Sequence, residues 1–473
     1  MPLRCVASHS RMGALGAHSP RGAFAGACCN SMQLAAVLCL LAAAPAPANA
    51  IRTTSTGAVG SAHHMKPRGI LRVRLQSRQL HQHRYATPPR SLMQVASTVA
   101  GNGLSHTSSP PPRALVGSVF MGTPPQEFSV AFDTGSGNVL LPGKECMSVA
   151  CLAHRSYDST VSATVEQLHS PTNTNSSTNG ANGTGSTKEA VQLSIGTGSL
   201  SGHPLQDTLC LGQNGELCAP TNFVEASDMS DEPFSLLPYD GILGLSLPSA
   251  SIGAEFNFFS NLARSGSLES NRFAVWLAID GDGEDAEVTF GAVSDDRVGS
   301  PDIFWQPLSG TDTGLWQVAL SDVTIDSAKL SLCGSGGCQA ALDTGTGVIA
   351  GPAEFIEAVL SVLNIDAACG NYDSLPMVGF VFGSITLNLD PSDYVQHTGA
   401  SCFHRFMAVD VPSPAGPLVL LGTPFLQRYY SIYDAESLRV GLALARHKTP
   451  PGAAEMSEEE AVSRFMVRGA AAR

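Results

Sequence analysis

Charge is scarce in this 473-residue chain: 14% of residues are Asp, Glu, Lys or Arg, and aromatic residues make up 6%. So little charge argues against a long solvated helix or coiled coil, and 43% hydrophobic content argues against a disordered chain. Acidic residues are absent altogether before Glu127. After residue 50 no apolar run is long enough to cross a bilayer. No Cys-x2-Cys pair with partner histidines occurs, which disfavours a zinc site. What is present is 47 glycines and 30 prolines between short apolar segments, the pattern of a β-rich protein of secreted type. The length suits two or three ordinary domains or one body of two lobes.

The missing acidic residues make the charge lopsided. Residues 51–113 hold nine basic residues, and residues 114–473 hold 15 basic and all 40 acidic ones, a net of −25. A basic arm can serve nucleic acid or membranes. Here the acidic body of the same chain is the nearer partner, so residues 51–113 read as a prosegment lying on that body rather than as a flexible linker. Within it, Gly69-Ile70-Leu71-Arg72-Val73-Arg74-Leu75 alternates apolar and basic residues, as a strand does. Ahead of it, Arg4, Arg11 and Arg21 precede an apolar core, Leu34 to Ala44, and the small-residue site Ala48-Asn49-Ala50. That is a secretory signal peptide cut after Ala50, with Met12 and Met32 as alternative starts. An uncleaved signal anchor is the competing reading.

Cysteines follow the same division. Four lie in the leader and eight in the body, an even number that suits oxidised pairs. Eight cysteines allow 105 pairings. Proximity in the chain favours Cys146–Cys151, Cys210–Cys218, Cys333–Cys338 and Cys369–Cys402, the second helped by the hairpin signal Gln213-Asn214-Gly215. Residues 165–190 are of low complexity and read as an exposed disordered loop; they carry two sequons, at Asn175 and Asn182. Asp280-Gly281-Asp282-Gly283-Glu284-Asp285 lacks the full calcium-loop pattern and reads as an acidic turn. The segment after Arg446 is polar, with Glu458-Glu459-Glu460, and reads as a solvated tail.

One motif occurs twice. Ala131-Phe132-Asp133-Thr134-Gly135-Ser136-Gly137 returns as Ala341-Leu342-Asp343-Thr344-Gly345-Thr346-Gly347. An apolar run that stops at Asp-Thr-Gly reads as a buried strand feeding a tight loop. One copy is only a turn; two copies in two halves suggest a duplicated lobe whose loops meet. Facing carboxylates cannot both ionise easily, so one keeps a proton and the other a charge, which is acid–base machinery. Tyr239-Asp240-Gly241-Ile242-Leu243-Gly244 and Leu420-Leu421-Gly422 form a second matched pair, one in each half. Between the two Asp loops, Ile195-Gly196-Thr197-Gly198-Ser199 is a glycine-rich hairpin tip that reads as a mobile flap.

From Ala114 to Arg446 these motifs resemble, in order, those of the pepsin-like (family A1) aspartic proteases. The resemblance implies an all-β, bilobal fold with the cleft between pseudo-symmetric barrel-like lobes, 114–298 and 299–446, preceded by the signal peptide 1–50 and propeptide 51–113 and followed by the tail 447–473. It implies peptide-bond hydrolysis by a water that Asp133 and Asp343 share. Thr134 and Thr344 would cross-brace the loops, and Ser136 and Thr346 would bond the outer carboxylate oxygens. Gly135 and Gly345 would complete the loops, and Gly244 and Gly422 the two ψ-shaped structures. No metal or cofactor is needed. The expected partners are peptide or protein substrates and the chain's own propeptide, for a monomer in the secretory pathway, outside the cell or in an acidic vacuole or lysosome. Arg84-Tyr85 is similar to the basic plug of family zymogens, which implies activation in acid. Two positions depart from the family: Ile195 stands where Tyr precedes the flap glycine, and Leu140 where Trp follows the first Asp. That exchange of a polar pair for an apolar pair leaves a second reading open, a pepsin-fold binding or inhibitor protein with weak or no catalysis.

Overall fold

Alternation of apolar side chains builds the strands on which the site stands. In Gln126–Asp133, the side chains of Phe128, Val130 and Phe132 point inward and are nearly sealed, and the strand releases Asp133 at its end. Cys338–Leu342 does the same for Asp343. The computed structural model describes residues 69–79, 113–168, 190–212, 214–279, 283–411, 413, 416–448 and 456–469. The signal peptide, Arg84-Tyr85, both sequons, nearly all of the 165–190 insert and Asp280–Asp282 lie outside these residues.

The body is almost entirely β. A 14-stranded sheet runs through it, beside two five-stranded sheets and a two-stranded one. The two halves repeat one local motif. In the first, Gln126–Asp133 runs parallel to Gly241–Gly244, which pairs antiparallel with Val139–Pro142. In the second, Cys338–Leu342 runs parallel to Leu418–Leu421, which pairs antiparallel with Ile349–Gly351. Asp133 thus sits level with Gly244, and Leu342 level with Leu421.

The basic alternating segment is a strand, Leu71–Gln79, and it lies inside the large sheet. It pairs with Ala286–Phe290 on one side and Arg113–Met121 on the other. Leu75 is fully buried, whereas Arg72 and Arg74 face solvent. Gly117 makes room for it: a Cβ there would stand 2.6 Å from Leu75 and 2.8 Å from Phe132. Burial of a leucine of this kind stabilises by about 1.5–3 kcal/mol. Arg72 reaches back to the body in a two-pronged pair with Asp296, at 2.9 and 3.1 Å.

The four neighbouring cysteine pairs are all disulfide-bonded. Cys210 and Cys218 stand directly opposite each other near the end of the long hairpin formed by Gly198–Leu211 and Leu217–Met229. In the acidic turn, Glu284 pairs with Arg297 and Lys448.

The tail is not simply solvated. Ser457 caps a helix, Glu458–Phe465, whose three glutamates sit favourably in its first turn. The next residues, Met466–Arg468, add a strand to the edge formed by Ile385–Leu389. Phe465 is 4% exposed and lies under the Arg428 guanidinium, and the Phe465 carbonyl accepts from Tyr429 at 2.7 Å. Two apolar side chains and an open sheet edge therefore outweigh the polarity of the segment.

Candidate active site

The two Asp-Thr-Gly loops meet and hold one another by crossed hydrogen bonds. The Thr134 amide donates to Thr344 Oγ1 at 3.0 Å, and the Thr344 amide donates to Thr134 Oγ1 at 3.0 Å. Each hydroxyl then donates across the interface, Thr134 to the Leu342 carbonyl at 2.8 Å and Thr344 to the Phe132 carbonyl at 2.7 Å. Both threonines are buried, so every one of these polar atoms has its partner inside the protein.

Glycine sets the distance between the carboxylates. A Cβ on Gly345 would stand 2.4 Å from Asp133 Oδ1, and one on Gly135 would stand 2.7 Å from Asp343 Oδ1. Each amide of these glycines donates to the Asp two residues before it, at 2.8 Å in both loops. Gly244 and Gly422 pass beneath the loops. A Cβ on Gly244 would come within 2.6 Å of the Ser136 carbonyl, and one on Gly422 within 2.1 Å of the Thr346 carbonyl. The two apolar-apolar-Gly segments are where the backbone of each loop packs closest.

The electrostatics are uneven. Asp343 is 9% exposed, and Asp133 is half-buried. Burial pushes the Asp343 carboxyl up to about 7, and the charge of Asp133 pushes it the same way, against the hydrogen bonds from Thr346 and the Gly345 amide. Thr346 Oγ1 donates to Asp343 Oδ2 at 2.7 Å. Ser136 does not do the same for Asp133: its Oγ is buried and has no hydrogen-bond partner among the described residues. The expected symmetry between Ser136 and Thr346 is corrected here. Serine lacks the β-branch that restricts χ1 in threonine, so nothing in its own side chain holds the Ser136 hydroxyl to the carboxylate.

The flap is a hairpin in which Val191–Ile195 pairs with Gly198–Leu211, Ile195 opposite Gly198. Gly196 sits at its tip with φ +56°, a conformation that suits glycine. A Cβ on Gly198 would stand 2.6 Å from the Phe234 ring. Thr197 and Ser199 are exposed. Ile195 and Leu140 belong to one apolar cluster with Leu200, Met229, Phe234 and Ile242, so the exchange of a polar for an apolar pair leaves a continuous greasy wall. Tyr239 completes that wall. Its phenol is raised by burial and then by the charge of Asp133. Tyr239 was visible in sequence only as the residue before Asp240-Gly241, with nothing to mark it as facing the dyad.

Comparison with known proteins agrees with this geometry. The family model for eukaryotic aspartyl proteases matches residues 114–445. The chain belongs to that family. It is 35% identical to cathepsin E-A of Xenopus laevis over 336 residues, 69% of this chain and 78% of that protein. It is 33% identical to pepsin A of Sus scrofa over 338 residues, 69% of this chain and 80% of the relative. Against vacuolar protease A of Arthroderma otae identity is 33% over 337 residues, 69% of this chain and 77% of that protein. The aspartic protease fold is thus a bilobal all-β body, and the enzyme is an aspartic endopeptidase acting on peptide substrates. The matched span stops before the docked tail and begins after the strand Leu71–Gln79. Among the described residues no helix is long and apolar enough to cross a membrane.

Proposed function

We propose that Asp133 and Asp343 form the catalytic dyad, and that the chain is made as a zymogen whose residues 51–113 restrain it until acid releases them. The observation that supports the dyad most directly is the glycine spacing: each loop omits the one carbon that would collide with the other loop's carboxylate. Asp343, with its carboxyl held high, carries the shared proton. Asp133 takes a proton from water as the water oxygen attacks the peptide carbonyl carbon, and Asp343 gives its proton to the carbonyl oxygen. The gem-diol then collapses: Asp133 returns its proton to the leaving nitrogen, the C–N bond breaks, and a gem-diol hydroxyl returns a proton to Asp343. Both carboxyls end as they began.

The prosegment reading rests on Leu71–Gln79 and its basic side chains. Burial works against the Asp296 carboxylate, yet its hydrogen bonds, that to Arg72 foremost, hold it below the usual range. A lowered carboxylate contributes stability above its unfolded value, and that contribution is lost as pH falls through the lowered value. Acid therefore loosens the prosegment. The lobes 114–298 and 299–446, the secretory route to an extracellular or acidic compartment, a monomeric state and glycans at Asn175 and Asn182 complete the proposal.

The test is a fluorogenic peptide assay between pH 3 and 6 on acid-processed protein. Activity that disappears in Asp343→Ala supports the reading. Absence of activity in every processed form favours the binding or inhibitor alternative, and unchanged activity in Asp343→Ala refutes the dyad. Retention of full size in acid by both the wild type and Asp133→Ala would refute self-activation.

A further inference from the structure

The docked tail lies beyond the span that the family model matches, yet it is built into the second half of the body. Phe465 and Met466, where its helix passes into its strand, are 4% and 7% exposed. Asn388 Nδ2 donates to the Arg464 carbonyl at 2.8 Å, and the Arg464 guanidinium pairs with Asp390. The Tyr429 hydroxyl lies 2.7 Å from the carbonyls of both Asn388 and Phe465, so one phenol ties the tail to the strand Ile385–Leu389. Peptide hydrolysis as described uses none of these contacts.

The tail covers one end of a six-residue helix, Thr423–Arg428. Arg428, its last residue, holds Asp393 with two hydrogen bonds, from Nε at 2.9 Å and from Nη2 at 2.8 Å. The Phe465 ring closes over that guanidinium, with 4.2 Å between Cζ and the ring centroid. A pair covered in this way is shielded from water and keeps its two-pronged geometry, whereas an open pair is screened and loosely held.

The other end of the helix touches the second catalytic loop. The Thr423 amide donates to the Thr346 carbonyl at 2.8 Å, and the Thr423 hydroxyl donates to the same oxygen at 3.3 Å. Thr346 Oγ1 in turn donates to Asp343 Oδ2. Phe425, in the middle of the helix, is fully buried against the rings of Tyr429 and Phe380. So short and tightly packed a helix moves as a unit, and a restraint at Arg428 reaches Thr423. The matching segment of the first half is held from inside the body instead. There the Ser246 amide donates to the Ser136 carbonyl at 3.0 Å, and Trp316 Nε1 donates to the Leu245 carbonyl at 2.8 Å.

We propose that the docked tail is a strap for the second catalytic loop: Phe465 seals the Arg428–Asp393 pair, and the helix so held keeps the Thr346 hydroxyl on Asp343. Phe465 is a positioning residue, acting through Arg428 and Thr423. Without the strap the dyad still assembles, but the Thr346 bond loosens. Asp343 then loses part of a bond that lowers its titration, and titrates higher.

This role rests on Asp343 being half of the dyad. The experiment is Phe465→Ala in the acid-processed enzyme, made in the wild-type and Thr346→Ala backgrounds, with Asp343→Asn beside them. The pH profiles of kcat and kcat/KM are measured per mole of folded protein, well below each melting temperature. In the wild-type background kcat should fall about 3-fold with KM within about 2-fold, and the limb that reports Asp343 should move to higher pH. In the Thr346→Ala background the same change should cost less than about 1.5-fold and leave the limb in place, because its target is already gone. Wild-type kcat and profile in Phe465→Ala overturn the strap, and so does an equal loss in both backgrounds, which marks a general loosening of the fold. Should Phe465→Ala fail to fold, Phe465→Leu keeps most of the apolar cover without the aromatic face and is judged by the same two criteria. Activity retained in Asp343→Asn refutes the dyad itself; an inactive Asp343→Asn beside unaffected tail variants refutes only the strap.

Discussion

The loops at Asp133 and Asp343 carry nearly the same seven residues, yet they sit in unlike surroundings. Asp343 is almost sealed, its outer oxygen accepts from Thr346, and its carboxyl is pushed up to about 7. Asp133 is half-buried, its neighbour Ser136 offers it no hydrogen bond, and burial and then the charge of Asp133 raise the Tyr239 phenol. In the proposed dyad, Asp343, the more buried of the two copies, holds the proton. The symmetric part, the crossed threonine bonds and the glycines, brings the carboxylates together. The asymmetric part gives them unlike surroundings.

The comparison can be broken first at the carboxylates. Asp133→Asn and Asp343→Asn should each lower kcat by at least about 10²–10⁴-fold in the peptide assay, the range of a lost acid or base. A variant that keeps more than a tenth of wild-type activity would show that its loop is not half of a dyad. Next comes the spacing. Gly345→Ala puts a carbon where Asp133 Oδ1 lies 2.4 Å away and should lower kcat by about 10²-fold, with KM moving less.

The third probe concerns the hydroxyls that sequence makes equivalent and structure does not. Thr346→Ala removes a bond that lowers the Asp343 titration, so the limb of the pH profile that reports it should rise, with kcat/KM falling by about tenfold. The smallest effect is expected at Ser136→Ala, within about twofold of wild type and neutral or stabilising by about 1 kcal/mol, because a buried hydroxyl without a partner is lost. Equal effects at Thr346 and Ser136 would restore the symmetry and remove the structural ground for assigning different roles.

How much of this was legible in the sequence depends on the range of the forces involved. The Asp-Thr-Gly loops could be read because a strand, its turn and its glycine are local, and because the second copy repeats the first. Leu71–Gln79 was legible from alternation alone, although nothing in its pattern said that it would be sandwiched between two strands of the body. The docked tail was missed because three glutamates dominate its composition, while its burial depends on two residues, Phe465 and Met466, and on an edge 80 residues away. Ser136 was equated with Thr346 because residue type does not reveal which way a hydroxyl turns. Trp316 carried no signal at all, since its partner, the Leu245 carbonyl, is remote in the chain and no spacing rule connects them.

The central claim is that the dyad's proton resides on Asp343. Carbon-13 NMR of aspartate-labelled, acid-processed enzyme would follow the carboxyl groups directly from pH 3 to 8, with Asp343→Asn for assignment. A carboxyl titrating near 7 and missing from Asp343→Asn is the predicted result. If every aspartate in the wild type titrates below about 5, or if the high titration survives in Asp343→Asn, Asp343 is not the proton holder.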